Sequence, residues 1–340
     1  MKTLLCSTVS IAGVALMGAC APLSASAEAP VAATQATADM AVQSSLAQHK
    51  ASLKTVELGG NTLAYLDVGT SDAPAVMLIH GIPTSSYLYR EVAPKIAAAG
   101  YRVIAPDLMG FGASDKPTDP AAYATPARSA RMLALADHLG IETFAIVLHD
   151  VGGMTGWQMV EDAPDRLSAV VATNTFAGMA GVTPAPAVMQ IMGGQATPNH
   201  VFAPLSTSEG AKGLTQMWLE QGWFGPGSVP ETETDAYASD IEGANVGYEA
   251  FFAQSVPAFM MGEGARNKAL TAYEGPTAII FGEKDGFFDA DTVIADLKSR
   301  LGTADANITR IPEAGHFLQA QAPDAYVRAL TEFLDEAIAK

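Results

Sequence analysis

Ala145-Ile146-Val147-Leu148 is an apolar run without a charge, and it stops abruptly at His149-Asp150. Such a run is that of a strand buried on both faces, the environment of a parallel sheet. Val151-Gly152-Gly153 follows, and a segment of helical character, Met154 to Glu161, begins at once. Strand, sharp turn and helix with no loop between them admit few architectures. The paired glycines let the helix approach the turn closely. One side chain, here Asp150, then stands on a strained elbow above the end of the sheet, the position of a nucleophile. A carboxylate there suits displacement at an sp3 carbon, giving an ester that a base-activated water hydrolyses. The competing reading is an acidic residue at a helix start, favourable to the helix dipole.

The rest of the chain supplies further strands and helices in alternation. Thr55–Leu58 and Leu63–Val68, broken by Gly59-Gly60-Asn61, read as a hairpin. Val76–Ile79 reads as a buried strand ending at His80-Gly81-Ile82-Pro83, with a helix expected over Tyr87–Ala99. Strand Arg102–Ala105 leads into a loop carrying Asp107, Gly110 and Gly112, and Pro126 opens a helix over Ala127–Leu139. Leu167–Thr173, Thr277–Phe281 and Asn307–Ile311 complete the strands, and helices are expected over Asp291–Leu301 and Asp324–Ala339. This order predicts an α/β fold, a mostly parallel central sheet with helices on both faces. The rhythm breaks between about 174 and 273, a stretch rich in Met, Gly and Pro, which reads as an inserted helical cap.

With 340 residues, 49% of them hydrophobic, the chain can bury a large core as one domain with an insertion. A formal net charge of −17 argues against nucleic acid or an anionic membrane surface as partner. Residues 1–27 carry Lys2, a short apolar run from Val9 to Met17, and small residues beyond, the order of an export signal. Cleavage after Ala27 would give a soluble periplasmic or secreted protein. Met17-Gly18-Ala19-Cys20 alternatively resembles a lipoprotein box, with membrane attachment through a lipid on Cys20. Cys6 and Cys20 are the only cysteines, so the body after 27 has no disulfide, thiol nucleophile or cysteine metal site. Residues 28–50 read as a flexible or weakly helical spacer and 51–340 as the folded domain.

Ligands of open parallel sheets bind beyond the carboxyl ends of the strands. His80, Asp150, Asp285 and His316 all fall at such ends. Nucleophile, acid, histidine is the order of an α/β-hydrolase triad. His316 would take a proton from the hydrolytic water, and Asp285 would fix its tautomer and stabilise the imidazolium. The N–H groups of Ile82 and Val151 would hold the developing oxyanion. His80 and His149 read as supporting residues, Asp107 as a loop-shaping one. No G-x-S-x-G occurs, which counts against a serine esterase. A ligand-binding protein without catalysis would have no need of the triad.

Several motifs together resemble haloalkane dehalogenases: residues 80–90, Arg102 to Asp107 with Gly110 to Pro117, His149-Asp150 with Gly152-Gly153, and Ala314 to Phe317. The resemblance covers about 54–340, weakest in the cap, and extends to the wider aspartate-nucleophile group that includes epoxide hydrolases. It implies the α/β-hydrolase fold with a helical cap, no cofactor, no metal, and a small apolar substrate with water as co-reactant. The family's acid follows its sixth or seventh strand. Asn174, at the sixth-strand position, is uncharged, so the resemblance assigns the acid to Asp285.

Two departures concern the leaving group. The dehalogenases that this chain resembles typically carry a tryptophan after the nucleophile, and many an asparagine, or in one branch a glutamate, where Ile82 stands; here the former position is Val151. Trp218 or Trp223 of the cap is the candidate replacement donor. Epoxide hydrolysis would instead call on cap tyrosines, here Tyr237 and Tyr248, or His200, although the second tyrosine position falls near Phe251 or Phe252. Met179, Met189, Met192, Met217, Met260 and Met261 suit an adaptable apolar pocket. Lineage puts the dehalogenase-like reading first and the epoxide hydrolase second.

Overall fold

The computed structural model describes residues 45–223 and 227–338. The expected export segment and residues 28–44 of the expected spacer lie outside them. Helix α1 spans 45–52. Eight strands follow: β1 (Lys54–Leu58), β2 (Asn61–Val68), β3 (Ala75–Ile79), β4 (Arg102–Pro106), β5 (Phe144–Asp150), β6 (Leu167–Thr175), β7 (Thr277–Gly282) and β8 (Ile308–Ile311). They form one sheet in the order β1-β2-β4-β3-β5-β6-β7-β8. Only the pairings of β2, with β1 and with β4, are antiparallel; the other five are parallel.

Side chains alternate across a strand, so each parallel strand feeds two cores. Ile146 and Leu148 face one way, with Val170, Ala172, Ile279 and Phe281. Helices α3 (Thr125–His138), α4 (Gly152–Asp162) and α12 (Ala290–Leu301) cover that face through Met132, Leu135, Trp157, Val160, Val293 and Leu297. Ala145 and Val147 face the other way, under α2 (Val92–Ala98) and α14 (Pro323–Ala337), which bring Val92, Ile96, Tyr326, Leu330 and Leu334. Burying each large apolar side chain is worth roughly 1.5–3 kcal/mol. Burial on both faces is why the strands read as unbroken apolar runs.

Between β6 and β7 the chain carries α5 (Pro186–Met192), α6 (Pro198–Phe202), α7 (Ser208–Gly222), α8 (Glu231–Ile241), α9 (Asn245–Ala250), α10 (Val256–Met261) and α11 (Glu263–Ala272). A π-helical turn, Phe251–Ser255, joins α9 to α10. Pro257, just beyond it, has no N–H to give to the helical ladder. A short helix α13 (Leu318–Gln321) follows the last strand.

Two expectations are corrected. The helix expected over Tyr87–Ala99 is a 3-10 turn, Ser86–Tyr89, followed by the separate α2. Pro94 is the cause, since its ring would collide with the carbonyl of Arg90 in a continuous helix. Residues 45–50 of the expected spacer belong to α1, which is docked on the body. His49 is buried and bonds Ser86 Oγ at 2.9 Å, and Lys50 pairs with the buried Asp240 at 2.9 Å.

Candidate active site

β5 delivers Asp150 to the end of the sheet in a left-handed conformation, φ +52°. That backbone is uncommon for a residue with a Cβ and requires surroundings that hold it. Thr175 Oγ1 donates to the Asp150 carbonyl at 2.6 Å. A Cβ on Gly81 would strike the Asp150 side chain, and one on Gly152 would strike the His80 carbonyl. Glycine at these two positions is what lets the elbow, the loop after β3 and α4 meet.

Asp150 is 7% exposed, and Ile82 N–H donates to its Oδ1 at 2.8 Å. Its Oδ2 lies 3.4 Å from His316 Nε2. Nε2 has no hydrogen bond of ordinary geometry among the described residues. On the other side of the ring, Nδ1 is 2.8 Å from Asp285 Oδ2. Asp285 is itself held from four directions. Its Oδ1 accepts from Phe287 N–H at 2.7 Å and Phe288 N–H at 3.1 Å, and its Oδ2 also accepts from Asn174 Nδ2 at 2.6 Å. An acceptor at Nδ1 fixes the ring with a proton there and turns Nε2 toward Asp150.

Burial opposes the charge on Asp150, but the His316 ring, His149 and the Val151 N–H outweigh it and hold the carboxyl below the usual range. Burial would likewise lower His316, yet the Asp285 charge and the adjoining Asp150 raise it to about 9. Two further histidines stay neutral through burial, His80 at about 4 and His149 at about 3. His80 Nε2 accepts from Leu108 N–H at 3.0 Å while Nδ1 meets the Gly81 carbonyl at 2.8 Å, so it pins the loop that carries Ile82. His149 Nε2 donates to the His316 carbonyl at 2.9 Å. Asp107 accepts from Ser86 and Ala113 N–H, both at 2.8 Å, and ties two loops together.

Above Asp150 lies a cavity whose wall is almost wholly apolar. Ile82, Val151 and Met154 form its floor beside Asp150, Phe176, Phe287 and Phe288 one wall, and Trp218, Phe251, Phe252 and Val256 of the cap another. Among the described lining residues Asp150 is the only charged one. No group of three His, Cys, Asp or Glu among the described residues is arranged to hold a metal ion.

The cap candidates separate here. Trp218 lines the cavity, whereas Trp223 packs on Phe317 with ring centroids 5.9 Å apart and does not. Tyr237 is likewise displaced: it is buried in the opposite core against Tyr87, at 5.8 Å, because α8 turns that face toward the 3-10 turn. Tyr248 stacks on Trp218 at 5.5 Å, one layer behind the wall, and His200 is exposed. Of the methionines, Met179 and Met192 line the cavity, while Met189, Met260 and Met261 face solvent. The sequence reading did not single out the support that Asn174 gives Asp285, nor Met154 in the cavity floor. The polar Asn174 ending an apolar strand was the available signal for the first.

Comparison with known proteins agrees with this architecture. The alpha/beta hydrolase fold family matches residues 74–199. A haloalkane dehalogenase of Paraglaciecola agarilytica, described as tetrameric, superposes with a TM-score of 0.65 at 28% identity, over 83% of this chain and 93% of that one. The chain has the α/β-hydrolase fold. The same α/β-hydrolase architecture recurs in epoxide hydrolase A of Mycobacterium thermoresistibile, with a TM-score of 0.63 at 21% identity, over 85% of this chain and 99% of that one. In sequence, this α/β-hydrolase-fold chain is similar to the haloalkane dehalogenase of Psychrobacter cryohalolentis, 44% identical over 112 residues, which are 33% of this chain and 37% of that protein. The corresponding enzyme of Mycobacterium marinum is 39% identical over 112 residues, 33% of this chain and 38% of that protein. The matched stretch thus spans well under half the length of these curated relatives.

Proposed function

We propose that the chain is a hydrolase of small apolar substrates with an electrophilic sp3 carbon, acting through an ester on Asp150 in the manner of haloalkane dehalogenases. One observation carries the reading: a single carboxylate, gripped by Ile82 N–H and faced by a histidine–aspartate pair, opens into an apolar cavity. Asp150 Oδ2 attacks carbon as the carbon–halogen bond breaks, and the halide leaves with the bonding pair. Oδ1 becomes the ester carbonyl oxygen, already under the Ile82 N–H. Water then adds to Cγ while His316 Nε2 takes its proton; as the adduct collapses the Cγ–Oδ2 bond breaks, Nε2 returns that proton to the departing Oδ2, and the alcohol leaves with the water oxygen retained in the carboxyl. The charges favour this order. With Asp150 ionised, His316 is held protonated up to about 9. Converting Asp150 to a neutral ester removes one of the two carboxylates, so the ring's pKa falls when a base is required.

The epoxide reading ranks second because it asks for a tyrosine proton donor at the cavity. Tyr237 lies in the other core, and no tyrosine is among the described lining residues. Trp218 is the cap donor proposed for the leaving halide, in place of those missing at Ile82 and Val151. We also propose that residues 1–27 direct export to the periplasm or beyond, with a lipid on Cys20 as the alternative to cleavage after Ala27; the order of charge, apolar run and small residues supports it. Intact mass of the mature protein tests that part. The activity is tested by following halide release and epoxide consumption side by side. Release that is lost in Asp150→Asn supports the dehalogenase reading, and epoxide consumption alone replaces it with the second.

A further inference from the structure

Met192, the last residue of α5, belongs to two rows of side chains at once. With Val188, four residues earlier on the same helical face, it lines the cavity above Asp150. With Met189, three residues earlier, it meets solvent, and it is itself 47% exposed. Met154 also lines the cavity but is only 2% exposed, and Met179 lines it half-buried. Met260 and Met261 are exposed, the latter by 82%, and take no part in the lining. Among the described residues Met192 is therefore the one thioether that is both well exposed and part of the cavity wall. No cysteine follows Cys20 in the sequence, so no thiol of the folded body draws an oxidant away from these sulfurs.

A thioether reacts with hydrogen peroxide by giving a sulfur lone pair to one of its oxygens. The O–O bond breaks, that oxygen stays on sulfur as the sulfoxide, and the other leaves as hydroxide and takes a proton to become water. Sulfur loses two electrons and the peroxide gains them. A flexible apolar side chain thereby becomes a polar one. At Met192 the new oxygen would lose its hydration if it turned toward the apolar wall. It turns outward instead, and takes its share of that wall with it. We propose that Met192 is an oxidation site through which hydrogen peroxide weakens the hold of the cavity on apolar ligands. The inference rests on the proposed function only in counting the substrate among those ligands.

Binding is read with iodobenzene, whose iodide sits on an sp2 carbon that Asp150 does not attack. A failure here and a failure of halide release are therefore separate results. The heavy atom quenches tryptophan emission, and Trp218 lies in the cavity wall. Protein is treated with hydrogen peroxide, and peptide mapping locates each added oxygen. Wild type oxidised at Met192 is expected to bind iodobenzene about three- to tenfold more weakly than untreated protein. Met192→Leu, treated alike, is expected to keep the affinity it starts with, and Met192→Gln to show the weakening without peroxide. Met261→Leu removes a more exposed methionine outside the cavity and is expected to lose as much affinity as wild type. Unchanged affinity in wild type oxidised at Met192 overturns the proposal. So does an equal loss in Met192→Leu, a Met192 left intact while Met261 carries oxygen, or the absence of saturable quenching before treatment.

Discussion

Asn174 and Asp285 are joined end to end, the side-chain amide of one donating to Oδ2 of the other at 2.6 Å. Asn174 also accepts from Gly282 N–H at 2.7 Å, from a backbone at φ +37°. The amide therefore braces the carboxylate that orients His316, and it does so without adding charge. Asn174→Asp would place a second carboxylate against Asp285, and one of the two would hold a proton near neutral pH. The expected result is a loss of about 1–3 kcal/mol of stability with lower turnover. Urea unfolding at pH 7 and 5 checks it. Equal stability at both values would show that the brace does not matter.

A covalent intermediate should accumulate when the base is removed. Attack by Asp150 on a haloalkane requires no proton from His316, whereas ester hydrolysis requires a base. His316→Gln incubated with substrate should gain one alkyl group by intact mass, mapped to Asp150. Asp150→Asn should gain none. An adduct at any other residue would refute the assignment.

Donors restored at the leaving group should speed it. Val151 and Ile82 both line the cavity floor. A donor to a developing anion is worth about 3–4 kcal/mol in well-formed sites. Val151→Trp, alone or with Ile82→Asn, is expected to raise bromide release from a short bromoalkane about tenfold or more. A folded double variant with unchanged release would count against the missing-donor account.

Stability should fall on both sides of neutrality, for opposite reasons. His316 is raised to about 9, so what it contributes is complete below about 6.5 and is lost as pH rises through about 9. That share is on the order of 3 kcal/mol. His49, His80 and His149 are lowered by burial to about 4, 4 and 3, so theirs is present above about 6.5 and lost as pH falls. Urea midpoints from pH 4 to 10 should show both arms. His316→Gln should flatten the alkaline arm and leave the acid arm in place.

The sheet and the elbow were legible because their chemistry is local. Ala145 to Leu148 is apolar on both faces, and the polar residue ending such a run stands where ligands bind. Asp285 and His316 were legible by the same rule, as polar groups at strand ends, and the structure brings them within 2.8 Å of one another. The cap was not legible in that way. Tyr237 and Tyr248 stand on consecutive short helices, and only the packing of α8 against Tyr87 sends one to the far core. α1 was hidden for a related reason: Ala, Ser and Gln carry little signal, and His49 finds its burial only through Ser86 in the assembled fold. Pro94, by contrast, was visible, and it marks where the expected helix had to break.

His316 N–H donates to the carbonyl of Gly222, the last residue of α7, at 2.8 Å. At this junction the backbones crowd one another: a Cβ on Gly315 would come within 2.5 Å of the Trp223 carbonyl, and one on Gly286 would overlap that of Gln221. The roof is thereby riveted to the base at one end. It cannot swing open there without dragging the histidine out of register with Asp150. At α5 the cavity reaches the surface instead, where Met192 borders it and is 47% exposed. Movement at that rim would leave the pairing of His316 with Asp285 in place.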